Sequence, residues 1–398
     1  MNREKIIETE NKYYPSVYQK FPVVVTHGDG IYVFDDDGKK YVDCMSAYGV
    51  AILGHNNKTL IDDLIKQSQK IISCHGSLYS DIRSHALEAF MDICPKSLNK
   101  VFLSNSGAES IEAALKLAMK YTGKNQIVSM KGSYHGKTLG TLSVTWNPKY
   151  RKNYNSLLDT RFVSFNNFDE LFDTITKETA AIIIEPIQGE NGVYKATDDF
   201  MKQIRELCSE RNILLIIDEV QTGLGRTGKM WAHQHSDIEP DILCSGKGLA
   251  GGLAVGATVA SKEIFDSFQK GEHTTTYGAN PLVCASIKST VDYLVQNNIP
   301  QRNHELGSIM NSQLSTLCSK YEIIREVRGL GLMIGVEFRF DIRNLLNQLL
   351  RNGLLVLYSG RNILRLLPPF VITEKQIHDV VLIIENTINQ INKTEGNN

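Results

Sequence analysis

Residues 213–219 read ILLIIDE, and this stretch decides the fold. Five apolar residues in a row, without polar alternation, are typical of a strand that is covered on both faces. Such strands form mainly parallel sheets, which place their chemistry at the carboxyl ends of the strands. Asp218 stands at that end, where a buried carboxylate is costly unless it meets a cation. The stretch predicts an α/β sheet and a candidate functional residue, although Asp218 could also be a helix cap or a turn residue.

The same pattern recurs between about residues 100 and 260. Short apolar runs alternate with amphipathic stretches such as 110–121 and 199–211, which predicts strands alternating with helices. The sequence then becomes helical after Pro281, and it mixes helices with strands such as 334–338 and 363–366 further on. The predicted strands of the sheet are 101–103, 126–128, 161–163, 181–184, 214–217 and 241–244.

These patterns predict a large, mainly parallel-sheet domain over residues 51–281 and a smaller α+β domain over residues 282–398. The first fifty residues indicate short strands and turns, because glycine and aspartate clusters flank apolar tetrapeptides there. We expect this N-terminal segment to pack on the smaller domain.

The amino-acid composition limits the classes of function that the protein can have. The 398 residues are 42% hydrophobic and 22% charged, as in ordinary globular proteins. Lys and Arg (43) nearly balance Asp and Glu (44), so no bulk positive field would attract nucleic acid or an anionic membrane. The seven cysteines are odd in number and include no Cys-x-x-Cys pair, which favours a reducing compartment. A charged start without an apolar segment is not a signal peptide. We expect a cytoplasmic enzyme.

Lys247 follows the predicted strand 241–244 and lies between Gly246 and Gly248. A desolvated lysine has a lowered pKa and forms Schiff bases, whereas a lone lysine in a turn is usually just solvated. Pyridoxal 5′-phosphate requires both a Schiff-base lysine and a buried carboxylate against its pyridinium nitrogen. Lys247 and Asp218 together therefore predict a pyridoxal-phosphate site.

Such a site also needs a phosphate cradle, and residues 104–110 (SNSGAES) supply a candidate. They end a predicted strand and begin a predicted helix, so the free N–H groups at Ser106, Gly107 and Ala108 can bind an anion. The Ser-x-x-Glu pattern is equally the signature of a helix capping box.

Three further patterns could indicate a dinucleotide site, a nucleotide-phosphate loop or a metal site, but each fits its motif poorly. Residues 223–228 (GLGRTG) match G-x-G-x-x-G, but little helix can follow before Asp237 and Pro240, and Asp218 would repel a dinucleotide pyrophosphate. Residues 132–138 (GSYHGKT) are one residue short of a Walker A loop. His233 and His235 alternate like metal ligands without a carboxylate-rich partner, so no metal site is predicted.

Taken as a set, these residues resemble the class III, ornithine/acetylornithine-type aminotransferases. The resemblance implies the α/β fold-type I architecture of pyridoxal-phosphate transferases, over about residues 14–370. The matching stretches follow in order: 104–109 (SNSGAE), 134–136 (YHG), 185–190 (EPIQGE), 218–223 (DEVQTG), 245–247 (SGK), 275–281 (TTYGANP), 328–331 (RGLG) and 365–369 (RLLPP).

The resemblance also implies roles for individual residues. Lys247 would carry the Schiff base and, once released by substrate, move the proton. Asp218 would keep the pyridine nitrogen protonated, and Gln221 would lie near the phenolic oxygen. Tyr134 would stack on one face of the ring and Val220 would pack on the other.

The phosphate would be bound by Ser106, Gly107 and Ala108. Thr276 would reach the phosphate of a neighbouring subunit, which implies a homodimer with its active sites at the subunit interface.

For the substrates, the resemblance implies 2-oxoglutarate as the acceptor and places Arg365 on its carboxylate. It also pairs Glu190 with that arginine while the amine donor is bound. Tyr18 and Tyr48 would line the donor channel, although both could equally be core residues. Lys137 departs from the pattern, because many members have an arginine there that grips the donor's distal carboxylate. A lysine at this position keeps the positive charge but cannot bind a carboxylate through two parallel hydrogen bonds, as an arginine does.

Residues 142–151 (LSVTWNPKYR) and the short N-terminus look most like archaeal and deep-branching bacterial enzymes of arginine and lysine biosynthesis. The implied donor is N-acetylornithine, or ornithine or lysine linked to an acidic amino-group carrier protein. Lys149, Arg151 and Lys152 are candidates for docking that partner, or an ordinary solvated charge run. Alternatives are an ornithine δ-aminotransferase, favoured by Tyr48, a 4-aminobutyrate-type transaminase, and a catalytically silent cofactor-binding protein.

Overall fold

The computed structural model of the chain describes residues 2–154 and 157–395. Its strands, in chain order, are β1 (Val25–Asp29), β2 (Tyr32–Asp35), β3 (Lys40–Asp43), β4 (Lys100–Ser104), β5 (Gln126–Met130), β6 (Thr160–Val163), β7 (Thr179–Ile184), β8 (Ile187–Gln188), β9 (Tyr194–Lys195), β10 (Leu214–Asp218), β11 (Ile242–Gly246), β12 (Gly256–Ala260), β13 (Ile324–Leu330), β14 (Met333–Phe338), β15 (Leu354–Leu355), β16 (Leu357–Ser359) and β17 (Ile363–Leu366).

The helices are α1 (Arg3–Tyr13), α2 (Ser46–Gly49), α3 (Lys58–Ser68), α4 (Asp81–Asp92), α5 (Gly107–Thr122), α6 (Leu139–Val144), α7 (Pro148–Arg151), α8 (Phe168–Thr174), α9 (Asp198–Arg211), α10 (Lys262–Phe265), α11 (Pro281–Gln296), α12 (Ile299–Lys320), α13 (Arg343–Arg351) and α14 (Glu374–Glu395). Short 3₁₀ helices cover Ala232–His235 and Lys247–Ala250. In the described residues no helix is both long and apolar enough to cross a membrane.

The central sheet has the strand order β4–β12–β11–β10–β7–β5–β6. Its neighbouring strands are parallel except at β12, which runs antiparallel to both β11 and β4. The predicted α/β class and mainly parallel sheet are therefore confirmed. β12 was not predicted, because its sequence GATVA is made of small residues instead of an Ile/Leu run.

Helix α5 shows how the sheet positions a functional element. It begins where the Ser106 side chain accepts a hydrogen bond from the N–H of Glu109 (3.1 Å), and it ends at Gly123, whose φ of 68° favours glycine. Its apolar face, which includes Ile111 and Leu115, is buried against the sheet. The helix N-terminus is thereby fixed at the edge of the sheet where β10 and β11 end.

Two smaller sheets flank this core, with the orders β13–β14–β17–β16 and β1–β2–β3–β15. In the second, β3 pairs in parallel with β15, so the N-terminal strands join the C-terminal part of the chain. The division into domains at residues 51 and 282 stays a prediction. The last three residues of the predicted smaller domain, 396–398, lie outside the described part of the chain.

The prediction for the first fifty residues was wrong in one respect, because α1 is a helix. Asn2 caps it by accepting a hydrogen bond from the N–H of Lys5 (3.0 Å). None of its residues is buried, so the sequence lacks the apolar periodicity that would have revealed it.

Candidate active site

A cavity of about 210 Å³ opens where β10 and β11 end and α5 begins. Asp218 is the last residue of β10, and Lys247 directly follows β11. Since both strands are parallel, their carboxyl ends bring these two residues to the same edge. The cavity is lined by Gly107, Ala108, Tyr134, His135, Gly136, Lys137, Glu185, Glu190, Asp218, Val220, Gln221, Thr222 and Lys247.

Lys247 has the properties of an amine nucleophile. Burial lowers the pKa of its ammonium to about 8, against the opposing pull of Glu190, so a larger fraction of the amine is neutral near neutral pH than in an ordinary lysine. Its backbone φ is 44°, in the left-handed region that disfavours a side chain by roughly 1–2 kcal/mol. Strain of this kind is retained at sites where the residue's position matters.

Asp218 is held by two hydrogen bonds in the floor of the cavity. Its Oδ2 lies 2.7 Å from Nδ1 of His135, and its Oδ1 accepts the N–H of Val220 (3.0 Å). His135 is buried, and among the described residues no hydrogen-bond partner reaches its Nε2. His135 therefore orients the Asp218 carboxylate. The sequence offered the motif 134–136 but no separate reason to assign this role.

Glu185 is a second buried carboxyl group, which sequence reasoning did not assign. Burial raises its pKa to about 7, partly offset by His135, and Asp218 raises it further. Its Oε2 accepts the N–H of Tyr134 (3.0 Å). Glu185 thus fixes the backbone of the residue that forms one cavity wall.

Replacing Glu185 by glutamine is expected to flatten the pH dependence of stability in the cofactor-free protein. Between the usual pKa of 4.5 and the raised value of about 7, the folded state binds a proton that the unfolded state has released, so stability falls as pH rises. Glutamine removes this fall and can still accept the Tyr134 N–H. Thermal melts should agree at about pH 5 and show a more stable variant at about pH 8.

The exposed Glu206→Gln on α9 is the matched control and should follow the wild-type curve throughout. Parallel curves for wild type and Glu185→Gln would contradict a raised pKa at Glu185.

The start of α5 forms a close-fitting cradle. A Cβ on Gly107 would lie 2.7 Å from Cγ1 of Val220, and one on Gly136 would lie 2.6 Å from Oγ1 of Thr141. Only glycine therefore fits at these two places. Ala108 also lines the cavity, whereas the Ser106 side chain serves as the helix cap and does not line it.

Arg365 and Glu190 form an ion pair at the cavity. The guanidinium Nη2 of Arg365 lies 2.7 Å from Oε1 of Glu190, and Nη1 donates to Oε1 of Gln221 (3.3 Å). The Arg365 side chain is 0% exposed, whereas that of Glu190 is 37% exposed. The carboxylate can therefore swing toward solvent more easily than the arginine can. Tyr48 adjoins this pair, with its ring centroid 5.8 Å from the Arg365 guanidinium.

Tyr48 lies in a left-handed turn. Ser46, Ala47 and Tyr48 have φ values of 45°, 49° and 61°, and the Tyr48 carbonyl accepts a 3.3 Å hydrogen bond from Nε2 of Gln221. Successive non-glycine residues in this conformation are unfavourable. The hydrogen bond from Gln221 helps to hold the turn beside the cavity.

Besides Ser106, four predicted residues do not line the cavity of this chain. Arg365 and Tyr48 lie beside it, next to Glu190 and to each other. Tyr18 is 64% exposed and stacks on Tyr14, with ring centroids 5.9 Å apart. Thr276 is also absent from the lining, and its role in a neighbouring subunit's site stays a prediction.

The residues of the discounted motifs have structural contacts. Arg226, in the glycine-rich stretch 223–228, is buried and donates to the carbonyls of Leu332 (3.0 Å) and Pro368 (2.6 Å). His233 Nδ1 lies 3.0 Å from Oε1 of Glu219. These contacts join segments of the fold, as expected of packing residues.

Comparison with known proteins agrees with this site. The family model described as aminotransferase class-III matches residues 13–388. The chain is 38% identical to the acetylornithine aminotransferase of Methanopyrus kandleri, over 93% of this chain and 95% of the relative. It is 40% identical to the [LysW]-aminoadipate semialdehyde/glutamate semialdehyde transaminase of Sulfurisphaera tokodaii, over 90% and 92%.

Among solved structures, an ornithine aminotransferase from Toxoplasma gondii, with partial occupancy of pyridoxal phosphate (PLP) at its active site, superimposes with a TM-score of 0.94. The two chains are 27% identical, with 99% of this chain and 96% of the other covered. The chain belongs to the class-III aminotransferases, which depend on pyridoxal 5′-phosphate.

The residues present fit this cofactor. A half-buried lysine with a lowered pKa can hold its aldehyde carbon, and a buried carboxylate can face its ring nitrogen. The helix start at Gly107 and Ala108, where a larger side chain would clash, can receive its phosphate.

Proposed function

We propose that this aminotransferase moves the ω-amino group of an N-acetylornithine-like donor, or of ornithine or lysine linked to a carrier protein, to 2-oxoglutarate. The observation that carries the proposal is the ion pair between Arg365 and Glu190. One site must bind a donor that lacks a carboxylate near the reacting amine and an acceptor that has one. A buried arginine with a movable carboxylate partner meets both requirements.

Bound pyridoxal 5′-phosphate supplies an aldehyde that combines with amines and a ring that accepts electrons. Lys247 would hold the cofactor and then carry the proton that is removed from the donor. Asp218, oriented by His135, would keep the ring nitrogen protonated. Tyr134 and Val220 would face the two sides of the ring, and Gln221 would face its phenolic oxygen.

The acceptor half of the reaction depends on Arg365. When Glu190 swings away, both prongs of the guanidinium become free to bind the carboxylate of 2-oxoglutarate. When Glu190 returns, the positive charge is neutralised, and an uncharged chain beside the ω-amine can occupy the same space. The pair therefore lets one site alternate between two substrates.

The distal end of the donor would meet Lys137, and Tyr48 would line the channel. Lys149 and Lys152 are exposed nearby and could bind an acidic carrier protein, whereas Arg151 lies 4.6 Å over the Phe162 ring and is less available. The printed name of the Sulfurisphaera relative, with its [LysW] prefix, supports a carrier-linked substrate.

We also propose a homodimer in which Thr276 completes the neighbouring site, and a cytoplasmic location. Exposed apolar side chains beside the Thr276 segment, including Tyr277 (69% exposed), support a covered interface. The cysteines, all within the described residues, are free, which is consistent with a reducing compartment.

A donor panel with 2-oxoglutarate tests the function. Acetylornithine or carrier-linked donor should exceed free ornithine in kcat/KM by roughly tenfold or more, because the Lys137 ammonium at the cavity mouth would repel an unmasked α-ammonium. Double-reciprocal plots should be parallel, since one site serves both substrates in turn. The panel should include 4-aminobutyrate.

A strong preference for free ornithine would instead support an ornithine δ-aminotransferase. Preference for 4-aminobutyrate would support the other alternative, and intersecting plots would contradict the alternating use of one site.

A further inference from the structure

An ammonium group at the cavity mouth lies between two aromatic rings. Nζ of Lys137 is 4.5 Å from the ring centroid of Tyr150 and 5.8 Å from that of Tyr134. The two rings meet edge to face, with centroids 6.4 Å apart and planes at 80°. Within residues 2–154 and 157–395, no carboxylate lies within ion-pair distance of Lys137. The charge is therefore oriented by rings and remains available to an anion.

The Tyr150 ring is held by its own short helix, α7. The side chain of Asn147 accepts the N–H of Lys149 (3.0 Å), and Pro148 occupies the first turn. Just before it, the N–H of Trp146 donates to the Ser133 carbonyl (3.0 Å). These contacts tie α7 to the loop that carries Tyr134 and Lys137, so the fold brings the Tyr150 and Lys137 backbones close together.

Two aromatic contacts fix the other side of α7. The Arg151 guanidinium lies 4.6 Å over the ring of Phe162, and the Trp146 ring meets the same phenylalanine edge to face at 5.1 Å. Because Phe162 belongs to β6, the short helix is anchored to the central sheet. The backbone that carries Tyr150 is thus flanked on both sides by residues packed on the sheet.

The Tyr150 hydroxyl is affected by charged and polar groups at the other end of the cavity. Burial raises the pKa of its hydroxyl, and the charges of Glu190 and Tyr358 raise it further. The hydroxyl therefore stays neutral, and the ring keeps the electron-rich face that attracts a cation. Tyr150 thus lies beside the Lys137 ammonium and within the electrostatic reach of Glu190.

We propose that Tyr150 is a positioning residue for donor specificity: its ring fixes the Lys137 ammonium at the cavity mouth, where that charge binds an anionic group at the donor end remote from the reacting amine. The inference deepens the proposed function and rests on it. A lysine is a point charge on a flexible stem, so it needs an external support that an arginine fork does not. The Tyr150 face supplies that support.

The test compares two donors that differ by one carboxylate, acetylornithine and N-acetylputrescine, in wild type and the Tyr150→Leu variant. Loss of the ring should raise KM for acetylornithine roughly fivefold with little change in kcat, as expected for losing a cation–π contact. The KM for N-acetylputrescine, which has no carboxylate to bind, should stay the same within error. Tyr150→Phe keeps the ring face and should restore the wild-type preference.

Tyr154→Leu is the matched control, because Tyr154 follows in the same segment, is 53% exposed and does not line the cavity. A double-mutant cycle measures the coupling between Tyr150 and Lys137, which would be absent if Tyr150 had only a structural role. In the Lys137→Ala background, Tyr150→Leu should have no further effect on acetylornithine. If Tyr150→Leu folds poorly, as a melt would reveal, Tyr150→Met replaces it in both comparisons.

Equal changes for both donors, or full additivity with Lys137→Ala, would overturn the inference. Wild type that uses neither acetylated donor would refute the proposed donor, and the comparison would then use ornithine against putrescine, which differ by the same carboxylate. An unchanged preference in that pair overturns the role of Tyr150 independently.

Discussion

Replacing Lys247 by alanine is expected to lower kcat by about 10⁴-fold or more, because one side chain would hold the cofactor and move the proton. No other lysine that lines the cavity could substitute, since Lys137 lies at its mouth beside Tyr150. The measurement is single-turnover conversion of the purified, cofactor-loaded variant with a donor from the panel. Borohydride reduction followed by peptide mapping should label Lys247 in wild type and leave it unlabelled in the variant.

Lys262→Ala is the control for this substitution. Lys262 is exposed and pairs with Asp266 on α10, away from the cavity, so activity and labelling should remain at the wild-type level. A Lys247→Ala protein with wild-type turnover, or a label on another lysine, would refute the site.

Replacing Asp218 by asparagine is expected to lower kcat by about 10²–10³-fold while preserving the fold. Asparagine has nearly the same shape and can still accept the Val220 N–H, but it removes the negative charge that would hold a proton on the ring nitrogen. His135 would lose its carboxylate partner at 2.7 Å. Steady-state kinetics and the absorbance spectrum of the bound cofactor measure the effect.

Asp241→Asn separates charge at the cavity from charge at the opposite end of the sheet. Asp241 precedes β11, accepts the N–H of Leu215 (2.7 Å) and pairs with Arg205 (2.9 Å). Its variant should lose thermal stability and keep kcat. If Asp218→Asn behaved in the same way, its role would be structural.

The sequence predicted the central sheet well because its strands are unbroken apolar runs. Residues 213–219 could hardly be anything except a strand buried on both faces, and β10 occupies Leu214–Asp218. Strand β12 escaped prediction because Gly256–Ala260 owes its place to neighbours on both sides and not to its own composition. Helix α1 escaped because it has no buried face.

The residues of the active site also fall into those that the sequence could predict and those that it could not. Lys247 and Asp218 could be predicted because each stands at the end of a buried strand. A charged side chain there loses its hydration, so it is retained only where it has a partner or a function. His135, Glu185 and Tyr150 could not, because their roles depend on residues distant in sequence, such as the 2.7 Å approach of His135 to Asp218. Local patterns in one sequence do not show which residues far apart in the chain come into contact.

The pairing of β3 with β15 also has a consequence for how the protein is made. Asp43 lies opposite Leu355, so the first strands leave the ribosome roughly 300 residues before their neighbour exists. Until then β3 exposes an open edge that other extended chains can join. Synthesis of this protein therefore passes through a long interval in which its earliest strands must be shielded from wrong partners, and a chain that stops short of β15 never closes that edge.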